Sequence, residues 1–521
     1  MNHFDINTPA DLIFHNARVI TMDLKYPYAE FVAIKGNKIL GNGNESNLKV
    51  LKGAHTKLVD CGGKTIIPGF NDAHCHPLSF AATLLYLDCS PAMVRSITDI
   101  QNVMRQKAEK IPPGKWLRAA HYDESSLVEK RPPNRWELDK AAPDNPVILI
   151  HHSGQHCVLN SMALKHSGIT RDTPESPGGI IHKDSKTREP NGLITGRNER
   201  VEHTVPPLDE EVMEQGIKLA NTQYLSCGIT SLQDTTWTNG LNQWHTYQRC
   251  IDRGSLSPRL SMLVGIESLE EFQKIGLSTG SGTNRLRVGG VKIALDESTG
   301  CIHPPQEDVN TLAHNALQAG FQISLHVSDI HMLQSSLATI EHVRKQIPNS
   351  NHRHRLEHCA VCPPGLLPRL KDSQAIVICQ PSFLYYMGQR YLDEVPTAQM
   401  SWLYPFGSMQ RYGIKTVFSS DLPLVPCNPF MGIYAAVTRK VETGKTLSRR
   451  ESISVLDALR MYTLEGAYAS SEEEVKGSIS PGKLADLIVI SDDPTQIDPE
   501  ALKDLKVVMT IIDGHIVWEH S

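Results

Sequence analysis

Short apolar runs broken by turn residues fill the first sixty positions of the chain. Asp11-Leu12-Ile13-Phe14-His15 and Phe31-Val32-Ala33-Ile34 read as strands, with turns at Lys35-Gly36-Asn37 and Gly41-Asn42-Gly43. The last fifty positions return to this texture, with Ala485-Asp486-Leu487-Ile488-Val489-Ile490, Val507-Val508-Met509-Thr510-Ile511-Ile512 and Ile516-Val517-Trp518. Asp513-Gly514 between two of those runs is a strong hairpin signal. Neither terminal piece is large enough to bury a core alone, so the two are expected to pair into one small β-sandwich.

The rhythm between them is different. Apolar strands alternate with helical stretches such as Asn310-Ala319 and Met332-Gln346, the pattern of βα units around a parallel sheet. Eight strands are expected, at Thr65-Phe70, Ile229-Gln233, Arg259-Val264, Gly290-Leu295, Gln322-Val327, Arg353-His358, Ala375-Gln380 and Lys415-Ser420. Eight such strands predict an α/β fold of the (β/α)8 barrel type. The first two are separated by residues 71–228, far more than a crossover needs, so an insertion is expected after strand one. It is rich in Pro and Gly, as at Lys130-Arg131-Pro132-Pro133 and Ser176-Pro177-Gly178-Gly179, and contains one apolar strand at Val147-Leu149. Loops that follow barrel strands emerge at the catalytic face, so this insertion is expected to cover the site. The boundaries read as 1–64 with 472–521 for the sandwich, 65–77 with 206–471 for the barrel and 78–205 for the insertion.

Composition narrows the function. With 521 residues, 40% hydrophobic and 21% charged, the chain has room for a large barrel and satellites. Its net charge is only -5 and no basic stripe runs along it, which excludes a nucleic-acid partner. The first residues lack the basic and apolar regions of a signal peptide, and no stretch approaches the ~20 apolar residues of a membrane span, so a cytoplasmic location without membrane contact is expected. Eleven scattered cysteines, an odd count, read as reduced thiols rather than a disulfide framework. Cys359 and Cys362 form a C-x-x-C, a spacing that two cysteines often reach by chance.

The candidate chemistry lies at strand ends. His74 and His76 follow Ile66-Ile67-Pro68-Gly69-Phe70, and their spacing of two puts both imidazoles on one side of extended chain, where they can share a metal. His326 ends Ile323-Ser324-Leu325 and His358 ends Arg355-Leu356-Glu357, one βα repeat apart. A lone strand-end histidine is more often structural, but four converging on the catalytic face of a barrel favour metal ligation. Asp421 completes Val417-Phe418-Ser419-Ser420, where barrel closure returns it beside His74 and His76, and it is the expected base. Leu422-Pro423 continues as loop, which argues against the alternative of a helix cap. Lys292 lies in the apolar run Gly290-Val291-Lys292-Ile293-Ala294-Leu295. Either its ammonium snorkels to the strand end, or it is a neutral amine able to form a metal-bridging carbamate.

These residues carry a resemblance. Pro68-Gly69-Phe70-Asn71-Asp72-Ala73-His74-Cys75-His76-Pro77, Val291-Lys292-Ile293, the two strand-end histidines, Ser420-Asp421 and Gly482-Lys483-Leu484-Ala485-Asp486-Leu487 resemble the amidohydrolase superfamily over nearly the whole chain. The segment His152-Ser153-Gly154-Gln155-His156-Cys157-Val158-Leu159-Asn160-Ser161-Met162-Ala163-Leu164, followed by Pro177-Gly178-Gly179-Ile180-Ile181, is similar to the YtcJ-like branch, which includes N-substituted formamide deformylases.

The resemblance implies that His74 and His76 bind one metal, that a carboxylated Lys292 bridges, that His326 and His358 bind a second, and that Asp421 ligates and accepts a proton. Zinc suits this donor set best, as one or two ions, although manganese, iron or cobalt fit as well. The implied activity is hydrolysis of an amide-type C–N bond, in an N-acyl or N-formyl amine or a cyclic amide. A deaminase, an esterase or lactonase, or a lyase are alternatives on the same scaffold, and a non-catalytic assembly protein is a more distant one. The expected partners are a small-molecule substrate and a second copy of the chain. His156, Asn160 and Glu297 are the expected substrate contacts. Two departures bear on the substrate. Leu295-Asp296-Glu297-Ser298 stands where relatives usually read Ala-Asp-Gly-Ser, and Gly192-Leu193-Ile194-Thr195-Gly196 lacks the glutamate of the usual Gly-Leu-Leu-x-Glu.

Overall fold

In a computed structural model, residues 9–154, 156–174, 179–196, 199–296, 302–348 and 353–520 are described. They divide into a larger unit of residues 1–77, 217–295 and 304–521 and a smaller one of 78–216 and 296–303.

The larger unit is built on an eight-stranded parallel sheet in which neighbours follow chain order: β1 (Phe70–Cys75), β2 (Ile229–Asp234), β3 (Arg259–Gly265), β4 (Leu286–Ile293), β5 (Ile323–Val327), β6 (Arg355–His358), β7 (Ile376–Cys379) and β8 (Thr416–Phe418). The ring closes through the chain that continues β8. The Asp421 N–H donates to the His74 carbonyl at 2.8 Å, and the His76 N–H donates to the Leu422 carbonyl at 2.9 Å. Strands buried on both faces explain the near-continuous apolar runs, such as Ile376–Cys379. Crossover helices cover them. Gln306–Gln318 buries Val309, Ala313 and Ala316, and Ile330–Gln346 starts where the Asp329 side chain accepts from the Met332 N–H.

Two further sheets of this unit form the sandwich. One contains Leu12–His15, Phe31–Lys35, Lys38–Gly43 and Lys57–Asp60. The other pairs N-terminal strands with Leu487–Ile490, Val507–Ile512 and His515–Glu519. Here the expected first barrel strand is corrected, because Thr65–Phe70 is not one strand. Thr65–Pro68 pairs antiparallel with Leu487–Ile490 inside the sandwich, and the barrel strand begins only at Phe70. Gly69 makes the break. A Cβ there would stand 2.2 Å from the Thr230 hydroxyl, so only glycine lets the chain pass from one sheet to the other. The Asp513-Gly514 hairpin is observed with φ of +52° and +76°, the left-handed pair that a type I′ turn requires. Buried Arg259 of β3 holds that turn and Asp486, with Nε 2.6 Å from the Asp486 carboxylate and Nη2 2.6 Å from that of Asp513.

The smaller unit has its own six-stranded sheet, in the order Gly179–Lys183, Pro190–Gly196, His156–Leu159, Val147–His151, Leu117–Tyr122 and Leu87–Asp88. Val94, Ile100, Met104, Leu117, Leu138, Val147 and Leu149 bury one face of it. The chain enters this unit two residues after His76 and returns to it after β4, both at the C-terminal ends of barrel strands. Among the described residues no helix is long and apolar enough to cross a membrane.

Candidate metal centre

The C-terminal ends of β1, β5, β6 and β8 bring His74, His76, His326, His358 and Asp421 together. Asp421 Oδ1 lies 3.1 Å from His76 Nε2 and 3.4 Å from His74 Nε2, and its Oδ2 lies 3.8 Å from His358 Nδ1. The His358 ring stands 4.6 Å, centre to centre, from both His74 and His326. His74, His358 and Asp421 form a buried trio whose donor atoms all lie within 4.8 Å of one another. Two of the residues that place this set are backbone outliers, with φ of +73° at His358 and +60° at Asp421. Left-handed backbone at non-glycine residues costs about 1 kcal/mol or more, and it concentrates where a side chain must be aimed.

The groups behind the imidazoles decide which nitrogen is free. His74 Nδ1 is 2.6 Å from Glu357 Oε2. Burial acts against the Glu357 charge, but Arg355 and His74 outweigh it and hold the carboxyl well below its usual range. An ionised carboxylate only accepts, so His74 carries its proton on Nδ1 and its Nε2 lone pair faces Asp421. His358 follows the same logic. Its Nδ1 is 2.9 Å from Gln380 Oε1, and the Gln380 amide nitrogen is already committed to the Ser419 hydroxyl, so Nδ1 donates and Nε2 is free. Burial pushes His74 down to about 3, and lowers His326 and His358 as well, so these rings are neutral. Burial also opposes charge on His76, yet the Asp421 carboxylate outweighs it and raises the ring above its ordinary value. Around Asp421 the imidazoles of His74, His76 and His358 outweigh burial and keep the carboxyl well below its usual range.

Lys292 of β4 buries its Nζ, which finds no hydrogen-bond partner among the described residues. Burial lowers it to about 8, against the pull of the Glu357 carboxylate. The snorkelling alternative is thereby removed, because the amine is only 4% exposed. Two neutral imidazoles with free Nε2 lone pairs, an ionised carboxylate and an orphaned buried amine fit a divalent metal.

Several residues that support this set were not singled out in the sequence. Arg355 donates Nε to Glu357 Oε1 at 2.7 Å and Nη2 to the Ala73 carbonyl at 2.6 Å, and Ser324 donates to the same Glu357 oxygen at 2.6 Å. Asp72 accepts from the Ser420 N–H and hydroxyl, tying β1 to the chain that presents Asp421. The signal available was the pair of charges, Arg355 and Glu357, alternating along a strand that is otherwise a core strand.

The expected substrate contacts fare differently. Asn160 is fully buried and saturated. Its carbonyl oxygen accepts from the Val147 and Ala163 N–H groups and its amide donates to the Ala142 and Asn145 carbonyls, so it is a helix cap with no group left for a substrate. Glu297 lies outside the described residues. His156, in the smaller unit, is half-buried and stacks on His151 at 3.8 Å between ring centres. Its Nε2 is 3.9 Å from Glu124 Oε1, and His151 Nε2 is 3.0 Å from Glu124 Oε2. The donor atoms of these three residues also lie within 4.8 Å of one another. Their surroundings differ, however. The Ser153 N–H donates to His151 Nδ1 at 3.1 Å and the Ser153 hydroxyl lies 2.7 Å from the same nitrogen, while Glu124 Oε2 has no aligned hydrogen bond among the described residues.

A family model described as the Amidohydrolase family matches residues 57–518. The chain belongs to the amidohydrolase family. It is 28% identical to N-substituted formamide deformylase of Arthrobacter pascens, over 98% of this chain and 99% of that one. It is 26% identical to the putative amidohydrolase YtcJ of Bacillus subtilis over the same shares of each. A solved structure of an uncharacterized metal-dependent hydrolase from Pyrococcus horikoshii superposes with a TM-score of 0.76 at 22% identity, covering 94% of this amidohydrolase and 99% of the neighbour, which extends the likeness to the fold.

Proposed function

We propose that this amidohydrolase is a metal-dependent enzyme that hydrolyses the C–N bond of N-acyl amines, with N-formyl amines the first substrate class to test. The observation that carries the reading is the pair of imidazoles, His74 and His358, whose Nδ1 protons are committed to Glu357 and Gln380 so that both Nε2 lone pairs are free, that of His74 facing ionised Asp421. The full-length likeness to a formamide deformylase supports the substrate class.

His74, His76, His326, His358 and Asp421 would hold the ion, with zinc best suited to imidazole and carboxylate donors. A bound divalent ion supplies Lewis acidity, bringing the pKa of water toward ~7 and stabilising charge that develops on the carbonyl oxygen. Asp421, ionised at neutral pH, accepts the proton of the attacking water and delivers it to the departing nitrogen. Glu357 keeps His74 in the tautomer that ligation needs, and Asp72 holds the Ser420-Asp421 backbone in place. Lys292, as a buried amine that is neutral part of the time at neutral pH, attacks carbon dioxide and releases a proton to give a carbamate, whose two oxygens are further donors.

The test is metal analysis of the purified protein with a screen of N-formyl amines, longer N-acyl amines, cyclic amides and esters. Equimolar amine and formate or carboxylate are expected, with no turnover by His74→Ala. Ammonia released without an acid would move the assignment to a deaminase, and turnover that survives His74→Ala would overturn it.

A further inference from the structure

Ten cysteines are described and all are free thiols. The C-x-x-C evident in the sequence is the less reactive pairing, since Cys359 and Cys362 are both buried and Cys359 is pushed well up by its hydrogen bond with Cys362 and by burial. A pair far apart in sequence has the opposite character. Cys227 follows the helix Glu210–Ser226 at the entrance to β2, and Cys427 ends the loop that runs from Asp421 to the helix Pro429–Thr438. Their sulfurs are 3.7 Å apart, with the Cys427 S–H donating to Cys227 Sγ.

Cys227 is partly exposed and lines a surface cavity of about 250 Å3 with Asn428, Phe430, Lys506, Trp518 and His520. Lys506 and the first turn of the Pro429–Thr438 helix border that cavity. The hydrogen bond from Cys427 holds the Cys227 thiol below its ordinary value, whereas giving that bond, together with burial, pushes Cys427 well up. One sulfur is therefore set up as the nucleophile, and its neighbour keeps its proton until it is needed.

We propose that Cys227 and Cys427 are a dithiol site that hydroperoxides oxidise to a reversible disulfide. The Cys227 thiolate attacks the terminal oxygen of a hydroperoxide ROOH. An S–O bond forms, the O–O bond breaks, and the leaving alkoxide takes up a proton as ROH, leaving Cys227 as sulfenic acid. Cys427 then loses its proton and attacks that sulfur, forming the S–S bond and expelling hydroxide, which leaves as water. Two thiols and one hydroperoxide thus give one disulfide, one alcohol and one water. The two sulfurs lose the two electrons that the O–O bond gains. An S–S bond of about 2.05 Å requires the sulfurs to close by roughly 1.7 Å, within reach of side-chain rotation.

The experiment treats the folded full-length protein with stoichiometric hydrogen peroxide, digests it without reduction and maps the peptides. The expected result is a linked Cys227–Cys427 peptide that dithiothreitol removes. Cys427→Ser is expected to stop at a sulfenic acid, captured by dimedone at Cys227. In the untreated protein, Cys227 is expected to react with iodoacetamide about tenfold faster than half-buried Cys157, which burial pushes up to about 12. Folded wild type that yields no linked peptide, or a Cys227 that alkylates no faster than Cys157, would overturn the proposal.

Discussion

Two clusters in this amidohydrolase contain the same ingredients, histidines around one carboxylate with donor atoms within 4.8 Å of one another, yet the groups behind the imidazoles differ. In the barrel, Nδ1 of His74 and of His358 meets an acceptor, Glu357 Oε2 or Gln380 Oε1, which leaves each Nε2 its lone pair. In the smaller unit, Nδ1 of His151 meets the N–H and hydroxyl of Ser153, and its Nε2 lies 3.0 Å from Glu124 Oε2 without an aligned hydrogen bond. Proximity of His, Asp and Glu therefore does not define a metal site. What lies behind each imidazole does.

The largest expected effect tests that contrast directly. Asp421→Asn and His74→Ala should each lower kcat by about 10^3-fold or more, the scale of losing an acid-base group or a ligand. His151→Ala and His156→Ala should leave the metal content unchanged. Metal analysis of the four variants decides, and a His151→Ala protein stripped of its ion would collapse the distinction. Next is Glu357→Gln, whose amide can present a donor to His74. Metal affinity, measured by competition with a chelator, should fall roughly 10–100-fold while the fold survives. In the smaller unit, Asn160→Ala should cost about 2 kcal/mol of stability in urea unfolding, since it leaves two buried N–H groups and two carbonyls without partners. KM should not move, because the side chain has nothing left to offer a substrate.

The contrast also has a pH dependence. Burial holds both His74 and His151 at about 3 in the folded protein, against ~6.5 unfolded. Between those values the unfolded chain binds more protons, so stability is full above about 6.5 and is lost as pH falls toward about 3. Added zinc, which binds the unprotonated ring of the folded protein, should steepen the dependence at the His74 site. His151→Gln should remove only the other share. Urea midpoints from pH 7 to 4, with and without metal, separate the two.

Much of the architecture was legible because barrel strands are buried on both faces and so appear as unbroken apolar runs. Seven of the eight appear within a few residues of the expected positions, and the strand ends at His326, His358 and Asp421 could be located from those runs alone. Thr65–Phe70 was misread because Ile66-Ile67-Pro68-Gly69-Phe70 carries one apolar signal across two sheets. What divides it is pairing with Leu487–Ile490, which no local pattern records. Asn160 was misread for a different reason. It immediately precedes the helix Ser161–His166, a cap position recognisable in the sequence, but the expectation that the insertion covers the site suggested a substrate contact instead. The groups that select the tautomers, Glu357 and Gln380, act on histidines one or more strands away, and a one-dimensional pattern does not show which acceptor meets which nitrogen.

The antiparallel ladder that sets Thr65 against Ile490 and Pro68 against Leu487 also bears on how the molecule is made. The strand that delivers His74 follows it after one glycine, so during synthesis this part of the site is held on one edge only, by Arg18–Ile20, until its second partner strand leaves the ribosome. Contacts between such distant segments form slowly. A chain stalled before residue 487 is thus expected to hold most of its barrel helices while lacking a competent centre, and nascent-chain proteolysis should find the segment around His74 among the last to become protected.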